Sequence, residues 1–189
     1  MPFIRSNVSQ RITPAHIDAG PTRTAADTAV CTPPSAATPI EANQIALGTV
    51  LRFRLAGNIK TVITTPGVIR FLVKFGTITV FDTLAVLGDT VAAHTNKPFV
   101  LELELVCVTV GAGTSATFIG TGRLSSESIL GTTASSPTAD AAAVLPWNAT
   151  PAAGTGFDST IANILTVHNT QTVATGEVIV QQYCVEQIG

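Results

Sequence analysis

Two glutamates in the stretch FVLELELV, residues 99–106, come closest to catalytic chemistry by residue type and spacing. Glu102 and Glu104 are two positions apart, and side chains so spaced on a β-strand share one face at about 6.5–7 Å. The paired carboxyl groups of glycosidases are separated by about 5–9.5 Å, so this spacing permits a catalytic pair. The alternative is that both glutamates belong to the solvent-exposed face of a strand.

The residues around the two glutamates favour the structural alternative. One family of jelly-roll glucanases carries Glu-x-Asp-x-x-Glu on a strand, whereas Cys107 occupies the place of the last acid in this chain. Sugar-binding sites also use aromatic platforms, and aromatic residues make up only 5% of the sequence. We therefore expect Glu102 and Glu104 to pair with basic residues on a neighbouring strand. The candidate partners are Arg52 and Arg54, or Arg70 and Lys74.

The other reactive residue types are dispersed along the chain. No histidine or cysteine has further ligands at a metal-binding spacing, and the odd number of cysteines favours reduced thiols. The glycine-rich triplets precede no lysine, and no Gly-x-Ser-x-Gly motif occurs. We predict no catalytic, cofactor-binding or metal-binding residue, and a protein that is not an enzyme. The histidines and cysteines are His16, His94, His168, Cys31, Cys107 and Cys184.

The composition limits the partners that the protein can have. The chain has 189 residues, 46% apolar and 12% charged, which is about half the usual charged share of a soluble domain. A surface so poor in charge favours contact with neighbouring subunits, and we expect a homo-oligomer, a trimer. The net charge is −2 and the basic residues are scattered, whereas nucleic-acid binding needs clustered cations. We therefore expect no nucleic-acid partner.

Membrane and secretion signals are also missing from the sequence. No apolar run reaches the roughly 18 residues of a membrane-spanning helix. The N-terminal stretch MPFIRSNVSQ lacks the apolar core of a secretory signal peptide. We expect no membrane partner, and synthesis in a reducing cytoplasm.

Strands are the elements that position the two glutamates. Leu51, Phe53 and Leu55 alternate with Arg52 and Arg54, which is typical of a half-buried strand. No segment shows the periodicity of a confident amphipathic helix. Short strands bounded by Gly, Pro and Asn, with long uneven connections, predict an all-β, two-sheet antiparallel sandwich of jelly-roll type. The predicted strands cover residues 27–32, 49–60, 67–76, 77–84, 99–108, 116–124, 160–169 and 177–188, with a bulge near Gln181 or Gln182.

Two segments differ in composition from the predicted strands. Residues 1–26 contain three prolines and scattered isoleucine and valine residues, and we predict an extended N-terminal arm. Residues 27–189 then form a single jelly-roll domain. Within it, residues 125–158 are rich in Ala, Ser, Thr, Pro and Gly and predict a long loop, which contains the only tryptophan, Trp147.

The order of several stretches resembles the small jelly-roll virion structural proteins of tailed bacteriophages, of the head decoration (cement) type. These stretches are SQRITPAH (9–16), TPIEANQIALGTVLRFRLAGNI (38–59), TPGVIRFLVKFG (65–76) and GEVIVQQYCVEQI (176–188). The resemblance implies a protein of the capsid surface that binds the outside of an icosahedral head, often as a trimer, and bridges capsomers. The major capsid protein or other virion proteins would be its partners.

A receptor- or carbohydrate-binding jelly-roll module of a phage tail or fibre is the alternative function. In either case we expect an interaction surface rather than a catalytic site. The residues expected to contribute to it are Ile4, Val8, Ile12, Ile17, Arg52, Arg54, Glu102, Glu104 and Trp147.

Overall fold

The structure is a computed structural model that describes residues 10–11, 16–17, 29–30, 38–62, 66–89, 93–129, 142–172 and 176–188. The described residues form strands and their connections, without a helix. The strands are β1 (Gln10–Arg11), β2 (His16–Ile17), β3 (Ala29–Val30), β4 (Thr38–Ile40), β5 (Val50–Thr61), β6 (Val68–Phe75), β7 (Ile78–Asp82), β8 (Val86–Leu87), β9 (His94–Thr109), β10 (Thr117–Ser126), β11 (Ala142–Leu145), β12 (Asn163–Gln171) and β13 (Glu177–Ile188).

The strands form two antiparallel sheets. The first sheet has the order β1-β13-β5-β9-β10-β11, and β2 also pairs with β13. The second sheet has the order β3-β12-β6-β7, and β4 and β8 pair with β12 and β6. The predicted all-β, two-sheet sandwich is thus confirmed. The finer jelly-roll topology stays a prediction, and the first long strand, β5, pairs directly with both β9 and β13.

Alternation of apolar and polar residues explains why the long strands pack face to face. In β5, Leu51, Phe53 and Leu55 are buried while Arg52 and Arg54 are exposed. The strands β9 and β13 bury alternate side chains in the same way, because successive side chains of a strand point to opposite faces. The apolar faces of the two sheets therefore meet in one core.

The strand β10 contains glycine where the core leaves no room for a side chain. A Cβ atom at Gly120 would lie 2.4 Å from Cδ2 of Phe81, and one at Gly122 would lie 2.3 Å from the carbonyl oxygen of Glu102. These two glycines thus leave room for Phe81 of the second sheet and for the backbone of β9.

The predicted bulge in the last strand is confirmed. The pairing of β13 with β5 changes register between Val180 and Gln182, so that Gln181 is the extra residue. As a result Val178 and Val180 before the bulge, and Tyr183 and Val185 after it, all face the core.

The described parts of the segment 125–158, residues 125–129 and 142–158, contain strand pairing where a long loop was predicted. β10 extends to Ser126, and β11 pairs with β10 through the register Gly122↔Leu145 to Ser125↔Ala142. Phe157 is fully buried, and its backbone pairs with that of Ala116. The prediction of a loop is therefore wrong for these residues, because a few well-spaced apolar side chains suffice to attach the segment to the core.

The described short strands of the N-terminal part, β1 to β4, pair with β13 in the first sheet and with β12 in the second. β1 and β2 pair with β13 at Gln187, Glu186, Tyr183 and Gln182. Farther along the chain, β3 and β4 pair with β12 in the second sheet. The side chains of Ile4, Val8, Ile12 and Ile17 lie outside the described residues, as does Cys31.

Candidate interaction surface

The predicted pairing of the two glutamates with arginines of β5 is confirmed. Arg52 lies opposite Glu104 in the register, with 2.5 Å between Nε and Oε1. Arg54 lies opposite Glu102, with 3.9 Å between Nε and Oε1. These side chains are between 52% and 72% exposed, so the pairs stand on the solvent face of the first sheet.

The alternative partners, Arg70 and Lys74, are wrong. Both belong to β6 in the second sheet, and Arg70 forms a two-pronged ion pair with Asp82 of β7. This hydrogen-bonded pairing raises the pKa of Arg70, chiefly through the side-chain hydrogen bond to Asp82. The two glutamates are therefore paired within the first sheet, and the charges of β6 belong to the second sheet.

Two further charges continue the set of paired charges in the first sheet on β13 and β10, and Arg11 of β1 lies opposite Glu186 at the sheet edge. Glu186 of β13 lies opposite Arg52, and Arg123 of β10 lies opposite Glu102. From β13 to β10 the strands thus carry one negative, two positive, two negative and one positive residue. We call this arrangement the charged face, with the members Glu186, Arg52, Arg54, Glu102, Glu104 and Arg123.

Along the strands, a row of apolar residues, paired across β5 and β9, flanks the charged face at each end. Ala56 lies opposite Val100 on one side, and Val50 lies opposite Val106 on the other. Val106 is 39% exposed. A shallow depression of about 510 Å³ follows the charged rows and is also lined by Cys184. The face therefore combines charges with small apolar patches and contains no deep cleft in its described part.

The two central glutamates of the charged face are paired on an exposed surface. Glu102 and Glu104 are more than half exposed, and each lies within 4.0 Å of an arginine. Such pairs fix the register of strands and the choice of partner.

A buried polar cluster, which the sequence did not indicate, lies at one end of the sandwich. His94 and Asp89 form a pair with 2.7 Å between Nε2 and Oδ2, and their side chains are 10% and 13% exposed. The N–H of Asp89 donates to the carbonyl oxygen of Ser128, and Thr61 is the strand partner of His94. The hydroxyl oxygens of Ser128 and Thr61 are buried without a hydrogen-bond partner.

The two described cysteines do not belong to this cluster. Cys107 and Cys184 are free thiols, and burial raises the pKa of the Cys107 thiol, which keeps it protonated and unreactive. Over the described residues, no three Cys, His, Asp or Glu side chains converge as metal ligands.

Trp147 is half-buried at the edge of the first sheet. Its backbone N–H donates to the carbonyl oxygen of Thr83 at 2.8 Å, and its side chain packs against the core. A depression of about 400 Å³ lies between Trp147, Pro146 and Val144, and Val144 is 73% exposed. Trp147 therefore borders an apolar patch that is distant in the strand order from Arg52 and Arg54 on β5.

Comparison with protein-family models, with curated proteins and with solved structures yields no match for this chain. None of the described segments forms a helix of the length and apolarity that crossing a membrane requires.

Replacing Glu102 and Glu104 together by glutamine is expected to lower the stability only slightly. Exposed ion pairs contribute about 0.2–1 kcal/mol each, because water screens the charges. Urea unfolding at low protein concentration measures the change, and Thr121→Ala on the same face is the control. A loss of several kcal/mol would show that the pairs hold the sheet together.

Proposed function

We propose that this protein is a non-enzymatic virion structural protein, a capsid decoration (cement) protein that binds the outside of a bacteriophage head and bridges capsomers. The observation that carries the proposal is the pairing of short N-terminal strands with one long strand of each sheet. β1 and β2 lie on β13, and β3 and β4 lie on β12. Extended segments join proteins by adding strands to a sheet edge in this way.

The attachment of the arm suits exchange with a neighbour. In its described part, only Gln10, Arg11, His16 and Ile17 pair with β13. Such short strands are held by few backbone hydrogen bonds, so the same pairing can form with the β13 edge of another subunit. The arm then acts as a clasp within a homotrimer or toward the major capsid protein.

The lack of a catalytic role is part of the proposal. The charged face is open, and each of its two central glutamates is engaged by an arginine. Broad polar surfaces with bordering apolar patches are typical of protein–protein contacts. A position on the capsid surface, with other virion proteins as partners, accommodates such faces.

A receptor- or carbohydrate-binding module of a tail or fibre is a second candidate. The observation that favours it is the half-buried Trp147 beside the exposed Val144, with the depression of about 400 Å³ between them. A single aromatic ring with one apolar neighbour is a modest platform for a sugar ring, so the decoration function is preferred.

The number of copies per particle separates the two candidates. Quantitative mass spectrometry of purified phage particles, with the major capsid protein as internal reference, measures it. A decoration protein is expected in hundreds of copies, because it follows the capsomer lattice. A few to tens of copies would place the protein in the tail and reject the decoration function.

Deleting residues 1–26 is expected to leave the sandwich folded but to weaken attachment to particles lacking the protein by about tenfold or more. The deletion removes β1 and β2 and their backbone hydrogen bonds, each of which contributes about 0.5–1.5 kcal/mol. Circular dichroism checks the fold, and cosedimentation with particles measures attachment. Deletion of residues 1–9 alone, which keeps β1 and β2, is the matched control. Equal attachment of the full and the truncated chain would contradict the clasp.

A further inference from the structure

We propose that the charged face is a contact between two copies of this chain. The copies are related by a twofold axis that runs over this face, parallel to the strands and above the midline between β5 and β9. The inference concerns the free protein and does not depend on the proposed function. Its basis is the order of charges across the four strands, which is antisymmetric about that midline. Negative Glu186 and positive Arg52 and Arg54 lie on one side. Negative Glu102 and Glu104 and positive Arg123 lie on the other.

Rotation about this axis brings opposite charges together. The axis exchanges β5 with β9, so Arg52 and Arg54 of one copy face Glu104 and Glu102 of the other. It also exchanges β13 with β10, which brings Glu186 diagonally toward Arg123 of the second copy. Because both halves of an isologous contact are identical, each of these contacts occurs twice.

The other in-plane twofold axis is disfavoured by the same charges. An axis perpendicular to the strands places β5 over β5 and β9 over β9. Arg52 would then face Arg54, and Glu102 would face Glu104 of the second copy. Like charges opposed across an interface cost several kcal/mol, so the order of the charges selects the parallel axis.

The bordering rows fit the same arrangement. Rotation about the parallel axis keeps each row at its height, so the row of Ala56 and Val100 meets its own copy. The row of Val50 and Val106 does the same at the other end. Apolar rows therefore meet apolar rows on both sides of the charged rows. Sheets that pack face to face with strands aligned within about 30° allow this geometry.

The contacts within one chain leave the arginines free to bind a second one. The intrachain contacts are made through Nε of Arg52 and Arg54. A guanidinium group carries five N–H donors, so the terminal nitrogens remain for a carboxylate across the interface. The distance of 3.9 Å between Arg54 and Glu102 exceeds hydrogen-bond length. This pair gains a closer partner when a second copy binds.

Reversing the charges of one strand at a time tests the contact. We call the arginine pair of β5 and the glutamate pair of β9 the two stripes. In Arg52→Glu/Arg54→Glu all four central positions are negative, and in Glu102→Arg/Glu104→Arg all four are positive. When two copies of the same double variant meet, like charges therefore face each other across the contact. We expect self-association, measured by analytical ultracentrifugation, to weaken by on the order of 100-fold in each variant.

Mixing the two double variants distinguishes a contact between copies from pairing within one chain. In the mixture every reversed stripe faces an opposite stripe of the other variant, so association is expected to return to near the wild-type level. The quadruple variant with both stripes exchanged is expected to associate with itself but not with the wild type. Association of the wild type, of the mixture and of the quadruple variant is expected to weaken when the ionic strength rises from about 0.01 M to about 1 M, because salt screens the attraction between opposite charges.

Circular dichroism verifies that each variant keeps the wild-type fold, which the unchanged inward residues of β5 and β9 favour. Lys74→Glu, which reverses a charge on β6 of the second sheet and away from the charged face, is the matched control and is expected to associate nearly as the wild type does. The proposal is overturned if the wild type, the double variants and their mixture have the same mass. It is overturned as well if the double variants dissociate and mixing does not restore association. The copy number on particles is unaffected by either outcome.

Discussion

Replacing Phe157 by alanine is expected to lower the free energy of unfolding by about 3–5 kcal/mol. The ring is fully buried and lies 4.7 Å from the ring of Phe75 and 5.3 Å from that of Phe118, centroid to centroid. Alanine would remove these contacts and leave a cavity between the two sheets. The backbone hydrogen bonds with Ala116 would then hold the segment without its apolar anchor.

Urea unfolding followed by circular dichroism measures the change, and Thr155→Ala provides the control. Thr155 is exposed and belongs to the same segment, so its replacement is expected to change the stability by less than about 0.5 kcal/mol. If Phe157→Ala lost less than about 1 kcal/mol, the segment that contains it would contribute little to the core.

The segment that contains Phe157 also includes a strand that could not be predicted from the sequence. The long strands could be predicted because their apolar and polar residues alternate over many positions, as in β5 and β13. Residues 142–145 read Ala-Ala-Val-Leu and lack such alternation, so β11 could not be recognised. A strand this short owes its existence to pairing with β10, which is a tertiary effect. The same holds for β4, where Pro39 is compatible only with an edge strand.

The candidate surface was predictable in part for a related reason. The alternation places Arg52, Arg54, Glu102 and Glu104 on outer faces, but it does not say which strand neighbours which. Two sets of partners therefore fitted the glutamates equally, and only the order of the strands selects β5. Glu186 and Arg123 were missed because neither has a second charge two positions away on its strand. Their relation to the other charges exists only in the assembled sheet.

The buried pair of Asp89 and His94 was missed on similar grounds. The histidine has no second ligand at metal-binding spacing, and the sequence does not show that the chain turns between the two sheets at this point. In the structure the N–H of Asp89 donates to Ser128, and His94 begins β9. The hydrogen bond between Asp89 and His94 thus joins the end of β8 in the second sheet to the start of β9 in the first.

Replacing Asp89 by alanine is expected to lower the free energy of unfolding by about 1–3 kcal/mol. The His94 side chain is only 10% exposed and lies 2.7 Å from the carboxylate. Without that acceptor its Nε2 atom would remain buried and would lose this hydrogen bond. Desolvation without compensation is the reason for the large effect.

Asp89→Asn separates the loss of charge from the loss of the hydrogen bond. Its amide oxygen can still accept from the imidazole, so the decrease in stability is expected to be less than half that of Asp89→Ala. Glu127→Ala is the control at the same end of the sandwich, because its pair with Lys97 is exposed and its loss should leave the stability close to the wild type. Chemical unfolding of the three variants at one pH provides the comparison. Equal stability of Asp89→Ala and the control would mean that water reaches His94, and that the two sheets are held at this end by the neighbouring apolar residues alone.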